Sequence, residues 1–257
     1  MRLLLDLGNT RLKWALRDGD DTFAHGAAAW NANAAAALSE AWSSLPQPVS
    51  AFGASVVDAA REQFVARSVA TAFLRDVTWL RTPAEACGVR NAYAEPQRLG
   101  VDRFLAMVAA RADGMAPCVL ASVGTALTLD ALDADGRHLG GLIAPGPRLM
   151  QQALLGATAQ VRPAQAGAIV EAADNTADAV ASGCWLAATA LVERFAARLS
   201  PALGGVPALR LDGGDAETLL PLLATPAQLV HDGVLRGLAT WAAAQYASAT
   251  GVDDGGD

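Results

Sequence analysis

At 257 residues the chain exceeds one average domain and suits two of roughly 100–150 residues each. Hydrophobic residues make up 53% and charged residues only 18%, so core material is ample and long solvated tracts are excluded before the acidic, Gly-rich end, residues 251–257, which reads as a disordered tail. A net charge of −7 argues against a nucleic-acid binder, which needs a basic face to neutralise phosphates.

In chain order, Leu3–Leu7 is a short buried strand, cut by Asp6 and so too brief for a signal-peptide core. The turn Gly8-Asn9-Thr10 leads to a second strand, Leu12–Leu16, and Asp18–Asp21 marks a further turn, which makes the opening a β-meander. Asn33–Leu45 is Ala-rich and helical, stopped by Pro46 and Pro48. A strand (Val49–Val57), a helix (Ala59–Leu74) and a strand (Val77–Leu80) complete a β-β-β-α-β-α-β order. Thr82–Leu99 is a long irregular connection, a kind of segment that often carries function.

After the helix Val101–Ala112 the opening repeats: strand Cys118–Val123, turn Gly124-Thr125, strand Leu127–Leu132, turn, strand His138–Ile143. Leu5–Thr10 and Ala121–Ala126 align without gaps, as a duplicated hairpin or as two unrelated glycine turns. Helical segments follow Pro145-Gly146-Pro147, the longest near Thr176–Leu199. Leu209–Leu211 is a strand, Glu217–Leu223 a short helix and Gly233–Ala247 a terminal helix. The division is therefore expected at 1–113 and 114–250. Cys87, Cys118 and Cys184 form no C-x-x-C pair, which leaves them as small buried hydrophobes in a reducing compartment. No apolar run reaches the ~18 residues of a membrane span. A soluble, cytoplasmic protein is expected.

The first chemical signal is Asp6-Leu7-Gly8-Asn9-Thr10-Arg11-Leu12-Lys13. A carboxylate closing a buried strand needs partners, and Gly8 lets the backbone approach a ligand. Asn9, Thr10 and the turn amides can donate to phosphate oxygens, with Asp6 on a hydrated Mg²⁺; the plainer alternative is an Asx-type hairpin turn. Lys13 is the only lysine in a chain whose other basic side chains, histidines apart, are arginines, which suggests that a point-charge ammonium is wanted there. The second signal is Gly100-Val101-Asp102-Arg103. A carboxylate at a helix start is ordinary, stabilised by unpaired amides and the dipole, but beside a phosphate cradle it can also accept a hydroxyl proton. Arg103 can hold an anion. Gly124-Thr125 offers a hydroxyl and an amide to phosphate, Asp130 is open to a structural role, and Asp212-Gly213-Gly214-Asp215 is a glycine turn suited to lie under a nucleoside. His25, His138 and His231 share no metal-ligand spacing, so each reads as solvated or locally hydrogen-bonded, and the six tryptophans read as core or interface residues.

The ordered set D-x-G-N-T-x-x-K, G-x-D-R and G-T-A-x-T-x-D resembles the type III pantothenate kinases, a family that includes the Bvg accessory factors. Asn175-Thr176 and His231–Leu238 extend the match over most of the chain. The resemblance implies an α/β protein of two duplicated ribonuclease-H-like domains, of the acetate/sugar kinase–Hsp70–actin superfold, with ATP between them. It implies ATP-dependent phosphorylation of pantothenate's primary hydroxyl, the first step toward coenzyme A. Asp6, Leu7, Gly8, Asn9, Thr10, Arg11, Leu12, Lys13, Gly124 and Thr125 then fall on ATP-binding positions and Asp102 on the proton acceptor. Tyr93, Gly100, Val101, Asp102, Arg103 and Thr176 fall on pantothenate-binding positions. The family is similar in forming homodimers and in using a monovalent cation, K⁺ or NH₄⁺.

One departure is clear. Where many members carry a cation-binding aspartate two residues before the Gly-Thr pair, this chain has Ser122, and a neutral hydroxyl replaces a carboxylate poorly in a cation site. Two other readings share the first turn: a non-catalytic nucleotide-binding regulator, and a kinase for another small hydroxylated substrate. Only a kinase requires Asp102 and Arg103.

Overall fold

The computed structural model describes residues 1–19, 21–158 and 165–250; the expected tail, 251–257, lies outside the described residues. In chain order the elements are β1 (Arg2–Leu7), β2 (Arg11–Asp18), β3 (Asp21–Ala29), α1 (Ala34–Trp42), β4 (Ser50–Ser55), α2 (Ala59–Phe73) and β5 (Val77–Leu80). A small hairpin, β6 (Glu85–Ala86) and β7 (Val89–Arg90), precedes α3 (Val101–Ala112). The remainder is β8 (Cys118–Val123), β9 (Ala126–Leu132), β10 (His138–Pro145), α4 (Pro147–Ala157), α5 (Thr176–Leu199), β11 (Ala208–Asp212), α6 (Ala216–Leu219), β12 (Ala227–Leu229) and α7 (Gly233–Thr250). The hairpin inside the irregular connection and the short β12 were not expected, because two- and three-residue strands leave no periodicity to read.

Two compact units result: residues 1–114 joined by the chain from Asp232 onward, and Met115–His231. The single division expected near residue 113 therefore places α7 in the wrong unit. Packing is the reason: α7 lies on α3, with Gly237 so close that a Cβ there would sit 2.0 Å from the carbonyl oxygen of Leu105. The sequence pattern marks α7 as an apolar helix but says nothing about which sheet it covers.

The first unit has the strand order β3-β2-β1-β4-β5, with β1 antiparallel to β2 and parallel to β4. Period-2 alternation sends Leu3, Leu5 and Leu7 to one face, where they meet Leu38, Trp42, Val65, Val69 and Phe73 of α1 and α2. The other face carries Leu4, Ala15 and Ala54, covered by Val101 and Leu105 of α3 and by Leu235, Leu238 and Trp241 of α7. Asp6 and Lys13 are direct cross-strand partners, and by the same alternation they belong to this second face. The polar pair thus sits on the side that α3 and α7 cover.

The second unit repeats the order as β10-β9-β8-β11-β12, with the same antiparallel and parallel pairings. This identity of topology establishes the duplication that the hairpin similarity left open. The second turn is one residue shorter: Leu7 pairs with Leu12 but Val123 with Leu127, enclosing 8–11 in one case and 124–126 in the other. The place of Lys13 opposite Asp6 is taken by Thr128 opposite Ser122, so the second turn has no matching ammonium. Val119, Ala121, Val123, Leu127, Leu129 and Leu211 pack against Trp185, Ala188 and Val192 of α5. Among the described residues no helix is long and apolar enough to cross a membrane.

The three cysteines are free; Cys118 and Cys184 are buried and Cys87 is partly so. Burial raises all three thiols above their ordinary value, Cys118 to about 11 despite the opposing pull of Arg210. A raised value keeps the thiol protonated and unreactive. Iodoacetamide at pH 8 is therefore expected to spare the native protein, with Cys87 reacting first and slowly, and Cys118 and Cys184 only after denaturation. Rapid native labelling of Cys118, read by mass spectrometry, would contradict the packing described here.

Candidate active site

The turn between β1 and β2 is closed by the Gly8 amide donating to the Arg11 carbonyl (3.1 Å). Trp30 holds it from outside the hairpin: its indole Nε1 donates to the Gly8 carbonyl at 2.7 Å, and its backbone amide to the Thr10 carbonyl at 3.5 Å. Two turn carbonyls are thereby engaged on the protein side, while Asn9, Thr10 and Arg11 remain exposed. Arg61 lies over the Trp30 ring, 5.5 Å from its centroid. The sequence presents Trp30 as one more core or interface tryptophan. Its role in shaping the turn depends on a contact over 22 residues that leaves no mark in the sequence.

Asp6 is half-buried at the end of β1, with Lys13 facing it across β2. The Lys13 ammonium also reaches Asp232, Nζ to Oδ1 at 3.1 Å. This turn has what phosphate binding needs: an ammonium of fixed direction, exposed donors and a glycine with room around it. A Cβ on Gly8 would meet only the Arg11 carbonyl oxygen, at 3.4 Å.

Asp102 occupies the first turn of α3, and its Oδ1 accepts the Arg103 backbone amide at 2.8 Å. Gly100 precedes the helix, and a Cβ there would fall 2.6 Å from Asp102 Oδ1, so a larger residue would have to turn the carboxylate from its present place. Arg103 is 6% exposed, and its Nη1 donates to the Tyr93 hydroxyl at 3.2 Å. A buried guanidinium of this kind is positioned rather than solvated. Tyr93 is held in turn by Asn91, whose Oδ1 accepts the Tyr93 amide at 2.9 Å. Asn91 Nδ2 donates to the Pro96 carbonyl at 3.0 Å, and Thr82 Oγ1 to the Leu99 carbonyl at 2.7 Å. The irregular connection is thus a tied loop, which brings Tyr93 onto Arg103 in the first turn of α3, next in sequence to Gly100, Val101 and Asp102. The organising part that Asn91 plays here emerges only from the structure.

In the second unit, the Gly124 amide donates to the Ala126 carbonyl at 3.0 Å, forming a tight turn that leaves Thr125 exposed. Two other glycine segments close on it. The Gly146 amide donates to the Thr125 carbonyl at 2.9 Å, and a Cβ on Gly146 would lie 1.8 Å from the Gly124 oxygen. The Asp215 amide donates to the Val123 carbonyl at 3.0 Å, and a Cβ on Gly213, at φ +103°, would lie 2.3 Å from that same carbonyl oxygen. Arg148 bridges these segments with Nε 2.6 Å from Asp215 Oδ1. Convergence of Gly124, Gly146 and Gly213 supplies a backbone-lined surface, and only Gly146's part in it went unread.

Thr176 opens α5 and is exposed. It follows Asn175, which caps the helix by accepting the Asp178 amide at 3.0 Å. Hydrogen bonds from Asn175 and from the Ala168 amide lower the Asp178 carboxyl below its ordinary value. Thr176 borders an open depression of about 570 Å³, with Leu154, Asp174 and Val180 also on its walls. Ser122 is exposed and lies in register between Thr128 and Asp212. Asp130 proves structural: it is 3% exposed, with its Oδ1 2.8 Å from Nε2 of the buried His138. His25 and His231 are exposed.

A five-stranded sheet with a half-buried aspartate at the end of β1 and a lysine-bearing glycine turn beside it, repeated in topology by a second unit, is the arrangement of the actin/Hsp70/sugar-kinase fold. Solved structures share this fold. One is a Campylobacter jejuni Baf family protein (TM-score 0.61, 17% identity, covering 95% of this chain and 98% of that one). Another is the activator of 2-hydroxyisocaproyl-CoA dehydratase from Clostridium difficile with bound ADPNP (TM-score 0.51, 13% identity, covering 100% and 99%). The profile of the type III pantothenate kinase family matches residues 2–198. The type III pantothenate kinase of Xanthomonas campestris pv. campestris is 48% identical over 93% of this chain and 96% of its own length. The chain belongs to the type III pantothenate kinase family.

Proposed function

We propose that this protein transfers the γ-phosphoryl group of ATP to the primary hydroxyl of pantothenate, giving 4'-phosphopantothenate and ADP, the first step of coenzyme A synthesis. The observation that carries it is the cluster of Asp102, Arg103 and Tyr93 on the start of α3, in a chain matching a pantothenate kinase over nearly its whole length. A nucleotide-binding regulator has no need of that cluster.

In this reading Asp6, Leu7, Gly8, Asn9, Thr10, Arg11, Leu12 and Lys13 form one phosphate-binding turn, and Gly124 with Thr125 forms another. Arg103 and Tyr93, with Gly100, Val101 and Thr176, receive pantothenate, whose carboxylate suits a buried guanidinium. The pantothenate oxygen attacks the γ-phosphorus, the bond to the bridging oxygen of ADP breaks, and the hydroxyl proton passes to Asp102. Alignment matters more than base strength because the transition state is loose. Positioning of this kind supplies up to ~7–11 kcal/mol in ideal cases.

Among the described residues no group of three or more His, Cys, Asp or Glu side chains forms a metal cluster. One carboxylate plus nucleotide phosphates is nevertheless a usual Mg²⁺ site, and Asp6, half-buried beside an open glycine turn, fits that part through water. There Mg²⁺ would neutralise phosphate charge. Ser122, a neutral exposed hydroxyl, does not fit a K⁺ or NH₄⁺ site, and no step is assigned to such an ion. A homodimer in the cytoplasm belongs to the same proposal.

The test is incubation with ATP·Mg²⁺ and a panel of hydroxylated acids and sugars, with products weighed by mass spectrometry. Phosphorylated pantothenate is expected. A sugar phosphorylated in its place would favour the other kinase reading, and no product at all the regulator.

A further inference from the structure

Asp232 is a motif residue to which phosphoryl transfer gives no task, yet its carboxylate lies 3.1 Å from the chain's sole ammonium, Lys13, across 219 residues of sequence. Its backbone is held at φ +54°, in the left-handed region where an Asp is uncommon and Gly is at ease. Ordinary stabilisation does not account for the pair. The side chains are 26% and 50% exposed, and part-exposed ion pairs contribute little because water screens them.

The surroundings of Asp232 are rigid. Its carbonyl accepts the Arg236 amide at 2.9 Å, starting α7. One turn on, Arg236 pairs with Asp113, and Gly237 presses against the Leu105 backbone of α3. The backbone that carries the carboxylate is therefore anchored by a helix packed onto the sheet face that carries Asp6 and Lys13. A lysine swings on a flexible four-carbon stem, and a fixed partner removes that freedom before a ligand arrives.

We propose that Asp232 is a positioning residue for the phosphoryl donor: it holds the Lys13 ammonium in place over the β1–β2 turn, ready for a nucleotide phosphate. The inference rests on the reading of Lys13 as a phosphate ligand. Because the contact exists before the reaction, its loss weakens nucleotide binding and leaves the chemical step alone.

Steady-state kinetics on K13M, D232N, D232G and the double variant K13M/D232N test this. Asp232→Gly suits the positive φ and so removes the carboxylate without straining the backbone. Both Asp232 variants are expected to raise KM for ATP·Mg²⁺ about fivefold, the scale of a part-exposed charge pair, with kcat and KM for pantothenate little changed. In the K13M background, Asp232→Asn should add nothing, because the residue acts through Lys13. An impaired K13M beside a D232G that behaves as wild type overturns the proposal alone, as does a full further loss in the double variant or a lowered KM in D232N. An unaffected K13M overturns the phosphate-ligand reading, and this proposal with it.

Discussion

Asp102→Asn is expected to lower turnover by about 10²–10⁴-fold, the range that a positioned acid or base contributes, with nucleotide affinity nearly unchanged. The substitution is shape-conserving. An asparagine oxygen can still accept the Arg103 amide now bonded to Oδ1 at 2.8 Å, and the space beside Gly100 is not altered. What is lost is the charge and the ability to take the hydroxyl proton. ATP meets other residues in the proposed mechanism, so its affinity, measured by calorimetry, should survive. Turnover equal to wild type would remove Asp102 from the chemistry and leave it as a helix-start residue.

The second large effect is expected from Gly237→Ala. Helix propensity alone predicts a gain of roughly 0.5–1 kcal/mol, since glycine is a poor interior helix residue. Packing predicts the opposite. A Cβ at this position would lie 2.0 Å from the carbonyl oxygen, 2.7 Å from the carbonyl carbon and 3.0 Å from the Cα of Leu105. These are backbone atoms of a helix and cannot swing aside, so α7 and α3 must separate along a contact that also buries Leu105, Leu235 and Leu238. Overpacking of this kind costs about 1–3 kcal/mol and outweighs the propensity gain. At 2–4 °C per kcal/mol for a chain of this size, a net loss of about 1 kcal/mol lowers Tm by roughly 2–4 °C. Activity should fall too, because α3 carries Asp102 and Arg103 at its start. A Tm that rises, as propensity alone would have it, would show that the two helices do not touch at this point.

These two residues differ in how much of their role can be read in advance. Asp102 stands out as a carboxylate between a glycine and an arginine at a helix start. Gly237 is one small residue among many in an apolar helix, and only its neighbour from 132 positions earlier (237 − 105) explains it. Trp30 and Asn91 belong with Gly237. Each works through a contact with a distant or irregular piece of backbone, and neither residue type signals such work.

The local patterns were sufficient for the strands and the longer helices and for both glycine turns. Alternation and turn chemistry act over a few neighbours, so they survive in the linear text. The lone lysine and the Asp-Gly turn beside it were equally visible. Only the folded chain decided that the hairpin similarity is a true duplication, because that depends on which strands pair in parallel across crossovers. It also decided that α7 joins the first unit and brings Asp232 to Lys13. Contacts between residues more than two hundred positions apart are chosen by the packing of whole faces, and no window of sequence holds that information.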